Sequence, residues 1–387
     1  MFNFDHEVDR RGTGSLKWDK YAGRDVIPLW VADMDFASPP AVLEALRERL
    51  DHGVFGYTGA PGELVEVIRE RLLDLYGWRI EADWLVWLPG LVTGLNVACR
   101  AVGEEGDEVL THVPIYPPFL SAPELSSRRT VRVPLVETGG RWVIDFDHLE
   151  QAITPRSRLF LLCNPQNPTG RVFSREELEG IAAFCERHGL ILCSDEIHCD
   201  LILDPACRHL PTAGLDPSVA ARTITLMAPS KTFNLPGLGC SFAIISDPVL
   251  RQRFRRVMAG IVPYVNLFGY AAALAAYRDG GPWLSALIEY LRGNRDLVRE
   301  AVAAMPGLSM TPVEATYLAW IDARRLQLTD PAAFFDDAGV GLSDGREFGM
   351  PGFLRLNFGC PRPLLRRGLE RMARAVAGLA SSVGESR

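Results

Sequence analysis

No apolar run in these 387 residues approaches the roughly 20 needed to cross a bilayer, no two cysteines stand in C-x-x-C spacing, and no block of like charge interrupts the chain. Each absence excludes a class. Without a long apolar run, a membrane protein is not expected. Without paired cysteines, neither a zinc ribbon nor a disulfide framework is expected. Cys99, Cys163, Cys193 and Cys240 lie among apolar neighbours and read as buried reduced thiols. Acidic residues outnumber basic ones, 48 to 41, so the net charge of −7 supplies no basic face for nucleic acid. The opening Met1-Phe-Asn-Phe-Asp-His-Glu has neither the basic nor the apolar region of a secretory signal, and the expected location is the cytoplasm. No internal repeat or low-complexity tract is present.

What is there is length enough for two cores and a change of pattern along the chain. Residues 1–37 show little periodicity and read as an extended arm. Ser38-Pro39-Pro40 places a capping residue before proline, and Val42, Leu43, Leu46 and Leu50 recur at helical spacing up to Gly53. Leu64, Val67, Ile68, Leu72 and Leu75 predict a second helix ending at Gly77. Short apolar strands are then expected at 84–88, 108–111, 130–134, 159–163, 190–194, 223–227 and 240–246, with helices between them. One of these helices opens on the capping box Ser174-Arg-Glu-Glu177. Such alternation predicts an α/β fold, a mostly parallel sheet covered on both faces. After Pro282 a long helix to about Ala304, strands near 317–321 and 353–358, and a last helix suggest a smaller α+β domain.

In an open α/β sheet, ligands sit beyond the carboxyl ends of the strands, and the informative polar residues fall there. Gly90 follows the first strand and precedes a helix whose N-terminus, with the Thr93 hydroxyl, can receive a phosphate. Asn164-Pro-Gln-Asn-Pro-Thr-Gly170 follows the fourth strand, Asp195, in Ser194-Asp-Glu-Ile-His198, follows the fifth, and Pro229-Ser-Lys-Thr-Phe-Asn234 follows the sixth. Lys231 is an amine suited to a Schiff base, and burial lowers the pKa of such a lysine. Asp195 is an anion that can hold a ring nitrogen protonated. Asn167 can donate to a phenolate oxygen, and Tyr116 can stack on a flat ring. Taken singly, the lysine reads as a solvated charge, the aspartate as a helix cap and the Asn-Pro segment as a turn. Their shared position at strand ends favours one pyridoxal-phosphate site. Gly341-Leu-Ser343-Asp-Gly345 matches a nucleophile elbow, but the loop-like sequence after it argues against a hydrolase.

This ordered set of motifs resembles fold-type I pyridoxal-phosphate enzymes, the class I/II aminotransferase superfamily. Lys17-Trp18-Asp19, Leu29-Trp-Val-Ala-Asp-Met-Asp-Phe36, His52-Gly-Val-Phe-Gly-Tyr57 and Phe353-Leu-Arg-Leu-Asn357 resemble its MalY/PatB branch of cystathionine and cysteine-S-conjugate β-lyases. The resemblance implies a three-layer large domain at 47–281, preceded by an arm and part of a small domain at 1–46. The rest of the small domain would be 282–387. It also implies roles: Lys231 as covalent anchor and proton carrier, Asp195 on the ring nitrogen, Asn167 on the ring hydroxyl and Tyr116 stacked on the ring. Arg355 would grip the substrate α-carboxylate, its alternative being a structural salt bridge. Val92, Thr93 and Ser230 would complete the phosphate cup, and Tyr57 would reach the phosphate of the neighbouring subunit in a homodimer.

Two positions depart from the wider superfamily. Gly239 stands where many members have a phosphate-binding arginine, and His198 where many have tyrosine. His198 either bonds the ring hydroxyl or packs beside it. The expected reaction is β-elimination from L-cystathionine or a related thioether, with no metal. An aminotransferase shares the early steps and stays open, as does a regulatory role of binding a partner protein.

Overall fold

Seven short apolar segments between Leu85 and Ile244 pair into one sheet in a computed structural model, which describes residues 2–384. In chain order the strands are Leu85–Leu88 (β1), Glu108–Val113 (β2), Arg129–Pro134 (β3), Ser157–Cys163 (β4), Ile191–Asp195 (β5), Thr223–Met227 (β6) and Ser241–Ile244 (β7). Their spatial order is β1-β7-β6-β5-β4-β2-β3, and only β7 runs antiparallel to its neighbours. Every residue of β2 and β6 is buried, as expected for strands covered on both faces. Helix Leu91–Ala101 covers one face with Leu95 and Ala98, and Arg175–Arg187 covers the other with Leu178, Ile181 and Phe184. The Ser174–Glu177 capping box is formed in full.

A second sheet is antiparallel throughout. Its strands are Ser309–Met310 (β8), Leu318–Asp322 (β9), Ser343–Asp344 (β10) and Phe353–Asn357 (β11), in the order β8-β9-β11-β10. The two-residue strands β8 and β10 are too short to leave a period in the sequence. One core cluster joins Phe4, Trp18, Leu29 and Met34 from the start of the chain to Leu318, Leu354, Leu365 and Met372 near its end.

Three sequence expectations need correction. The N-terminal arm is not simply extended: Ser15 caps a short helix, Leu16–Asp19, and Ile27–Pro28 pairs in parallel with Val340–Gly341. Its buried side chains, among them Phe4, Leu29 and Met34, come from irregular backbone and so leave no amphipathic period. Ser38 does not cap helix Pro40–His52; its hydroxyl donates to the Asn234 carbonyl at 3.1 Å. Asp195 closes strand β5 rather than following it, paired with Cys163 on one side and Leu226 on the other.

Candidate active site

At the carboxyl ends of the parallel strands a cavity opens, about 780 Å³ with its mouth included. Gly90, Val92, Tyr116, Asn167, Asp195, His198, Ser230 and Lys231 all line it. The local reasons are simple. Gly90 is the N-cap of helix Leu91–Ala101, which leaves free N–H groups and the positive helix end facing the cavity. Asp195 is fixed where β5 ends, with one carboxylate oxygen accepting from the Ile197 N–H at 3.1 Å. Beside Lys231, the Thr232 hydroxyl donates to Asp200 at 3.0 Å, and Asp200 is paired with Arg71 at 2.6 Å. The loop that carries the amine is therefore braced from beneath.

The segment from Trp30 to Phe36, the cover, meets the cavity at Ala32. Almost every carbonyl along this segment accepts a hydrogen bond from a side chain in another part of the chain. Arg355 donates to the Trp30 oxygen at 2.8 Å, and Asn357 to those of Val31 and Asp33, both at 2.6 Å. Lys231 Nζ and the Tyr317 hydroxyl both donate to Ala32, at 2.5 and 3.0 Å. Asn234, which carries a left-handed φ of 56°, donates to Met34 and Phe36. A buried ionic cluster anchors the outer end: Asp35 receives Lys17 and Arg10 at 2.7 Å and the Trp18 indole at 2.8 Å.

Burial sets the charges. Lys231 keeps some accessible surface only because it faces the cavity. Desolvation, reinforced by the Arg355 charge, brings its pKa down to about 8 against the opposing pull of Asp33 and Asp195. Asp195 is pushed up to about 7 by burial, with the Ile197 N–H working the other way. His198 is held neutral, its pKa brought down to about 3 by burial and by the positive Lys231 and Arg355. Its Nδ1 has no hydrogen-bond partner among the described residues. Burial also lowers Arg355, to about 10.

The remaining expected residues sit elsewhere. Arg355 stands behind Asn167, to which it donates at 3.1 Å, rather than in the cavity wall. Its Nε is buried without a partner among the described residues. Thr93 is in the first turn of its helix but does not line the cavity, and Tyr57 is fully exposed on this single chain. Ser343, from the false nucleophile elbow, donates to the Trp30 carbonyl and accepts from Arg355. Ala32, Tyr317 and Asn357 were not singled out from the sequence. The strap motif Leu29–Phe36 was visible there, but a backbone carbonyl acting as an acceptor has no residue-type signature.

The family model for aminotransferase class I and II matches residues 24–372. Cystathionine beta-lyase PatB of Bacillus subtilis (strain 168) is 39% identical over 97% of this chain and 100% of its own. The chain belongs to the aminotransferase class I and II family. The crystal structure of OvoB has a TM-score of 0.95 at 50% identity, covering 97% of this chain and 99% of that one. A pyridoxal-phosphate-bound C–S lyase from Staphylococcus hominis has a TM-score of 0.92 at 34% identity, covering 97% and 98%. Against this aminotransferase-family background Gly239 has a structural reason. Its φ is +59°, and a Cβ there would lie 3.1 Å from the Pro89 carbonyl oxygen. An arginine at this position would need a left-handed backbone and a crowded β-carbon.

Proposed function

We propose that this chain is a pyridoxal-phosphate-dependent carbon–sulfur lyase that splits L-cystathionine or a related L-cysteine S-conjugate by β-elimination. The products are a thiol, pyruvate and ammonia. One observation carries the reading: a desolvated amine, Lys231, and a buried carboxylate, Asp195, line the same cavity at adjoining strand ends. The names of PatB, a cystathionine beta-lyase, and of the pyridoxal-phosphate-bound C–S lyase support it.

The residues present fit the cofactor. Asp195 is raised by burial, no ion pair is formed with it among the described residues, and a protonated ring nitrogen would be a fitting partner. Asn167 would meet the ring hydroxyl, with His198 beside it and Tyr116 against the ring face. The N–H groups after Gly90, with Val92, Ser230 and Thr93, would receive the phosphate. Pyridoxal phosphate supplies a carbonyl that captures the substrate amine and a ring that withdraws electrons from the α-carbon.

Within that setting each residue has a defined task. Lys231 would hold the cofactor, and its Nζ would take the α-proton; a pKa near 8 makes the free amine accessible at neutral pH. Arg355 would bind the α-carboxylate through its fork, once the Asn167 and Trp30 oxygens that now accept from it give way. The thiolate would then leave from the β-carbon, and water would hydrolyse the released enamine to pyruvate and ammonia.

The active form is read as a homodimer. Val54, Phe55, Tyr57, Ile261 and Tyr264 are large apolar side chains left exposed on a single chain, and Tyr57 of a second copy would reach the phosphate. The partition 1–46, 47–281 and 282–387 is proposed as the domain division. A cytoplasmic location is consistent with eight cysteines, none in a disulfide. No helix among the described residues is long and apolar enough to cross a membrane.

Incubation of the purified protein with L-cystathionine tests the function. Pyruvate and homocysteine formed without a keto acid are expected. Strict dependence on a keto acid would instead identify an aminotransferase. An absorbance band at about 420 nm that disappears on borohydride reduction is expected of the bound cofactor.

A further inference from the structure

Tyr317 is buried immediately before strand β9, and its ring stands edge-on to His198 with centroids 6.0 Å apart. Its position is over-determined. Thr316 before it holds a left-handed φ of 73°, unusual for a β-branched residue, and its N–H donates to the Leu201 carbonyl at 2.8 Å. The Tyr317 carbonyl receives the Phe358 N–H at 2.9 Å, and the ring packs on Gly359, where a Cβ would lie 3.2 Å from it. All this delivers one hydroxyl to one acceptor, the Ala32 carbonyl, which also receives Lys231 Nζ. On either side of that carbonyl Asn357 clamps Val31 and Asp33.

We propose that Tyr317 is a positioning residue for the proton-transfer lysine, its hydroxyl occupying and aiming the Ala32 carbonyl that holds Lys231 Nζ. The inference rests on the reading of Lys231 as the proton carrier. Two donors on one carbonyl weaken each other, so the hydroxyl limits how strongly Ala32 can stabilise the ammonium form. It also keeps the acceptor, and hence the nitrogen, in one place. Tyr317 serves as a donor throughout the working pH range, because burial raises its own pKa. The other groups that act on Lys231 come from different elements: Asp195 from β5, His198 from the loop after it, Asp33 from the strap and Arg355 from β11. None of them donates to Ala32.

Tyr317→Phe keeps the ring and removes the hydroxyl. In the full-length holoenzyme kcat for cystathionine cleavage should fall about tenfold with KM changed less than about twofold. In the full chain stripped of cofactor, the pH midpoint for acylation of Lys231, followed by peptide mass spectrometry, should rise by about half a unit. A second substitution, 3-fluorotyrosine at 317, keeps the shape and strengthens the O–H donor, and it should move the midpoint down instead. An unmoved midpoint in both proteins overturns the proposal, and so does a Phe variant that loses thermal stability with kcat and KM changing together. Failure of the lyase reading itself would show separately, as wild-type protein without turnover or a borohydride-fixed adduct at Lys231.

Discussion

The floor and the cover of the cavity are built on opposite principles. The floor, from Gly90 across Asn167 and Asp195 to Lys231, presents side chains and N–H groups from four ends of the large sheet. Several are held at a cost: an amine with a lowered pKa, a carboxylate with a raised one and an imidazole nitrogen without a partner. The cover presents backbone carbonyls, nearly all satisfied by Arg355, Asn357, Lys231, Tyr317 or Asn234. Chemistry is concentrated where groups are left wanting a ligand, and rigidity where nothing is left wanting. If that division is right, substitutions in the floor should change reaction rate and spectrum at little cost in stability. Substitutions in the part of the cover that touches neither Lys231 nor its Ala32 acceptor should do the reverse.

The strongest test is in the floor. Lys231→Ala should lower cystathionine cleavage more than about 1,000-fold, because it removes both the covalent anchor and the proton carrier. The melting temperature of the cofactor-free chain should stay the same or rise, as a desolvated amine has been deleted. Pyruvate release and thermal melting measure the two. A variant that melts far below the parent would break the comparison.

Asp195→Asn should lower kcat about 100-fold by removing the anion that holds the ring nitrogen protonated. Its stability carries a sign. The folded-state pKa of Asp195 is raised from 3.8 to about 7, so the stability this group contributes is present at low pH and lost as pH rises through 7. Asparagine does not titrate. Without cofactor, the variant should therefore gain on the parent between pH 5 and pH 8, by roughly 4 °C in Tm. A constant difference across that interval would mean that the carboxylate is not desolvated.

The two regions also differ in how far the sequence discloses them. The strands of the floor were located to within a few residues because buried parallel strands leave plain apolar runs. Asn167, Asp195 and Lys231 stood out because each is a chemically distinctive side chain at a strand end. The cover was visible only as a motif without a stated task. Lys231 meets Ala32 across 199 residues and Arg355 meets Trp30 across 325, and in both contacts the acceptor is a main-chain oxygen that any residue type could supply. The misreading of Ser38 as a helix cap has the same origin. A hydroxyl expected to serve its own helix is taken by a carbonyl 196 residues away.

Asp35 tests the cover. It receives three donors, and its main partner Lys17 has no exposed side-chain surface; the next carboxylate oxygen, on Asp33, lies 3.7 Å from that nitrogen. Asp35→Asn leaves a buried ammonium short of its counter-charge and should destabilise the fold by roughly 3 kcal/mol. Urea unfolding measures this. The effect on kcat should be less than about tenfold, since no group that faces the cavity is changed. A stable variant with a large loss of kcat would place the chemistry in the cover and invert the assignment.

Gly239→Arg should have the smallest effect, and its direction is informative. Judged by family pattern alone, it restores a missing phosphate ligand and should tighten cofactor binding. The backbone says otherwise: φ is +59°, and the new β-carbon would meet the Pro89 carbonyl oxygen at 3.1 Å, one residue before the N-cap Gly90. Forcing a side chain into that conformation costs about 1 kcal/mol and presses on the turn that presents the phosphate-facing N–H groups. The added positive charge pulls the other way, and an exposed charge near a phosphate contributes about as much. Cofactor affinity, titrated by fluorescence quenching, should therefore change less than about fivefold while Tm falls slightly. A tightening of tenfold or more would show that the helix terminus and hydroxyls leave phosphate charge unmet, and that this part of the floor is shaped by charge rather than by backbone.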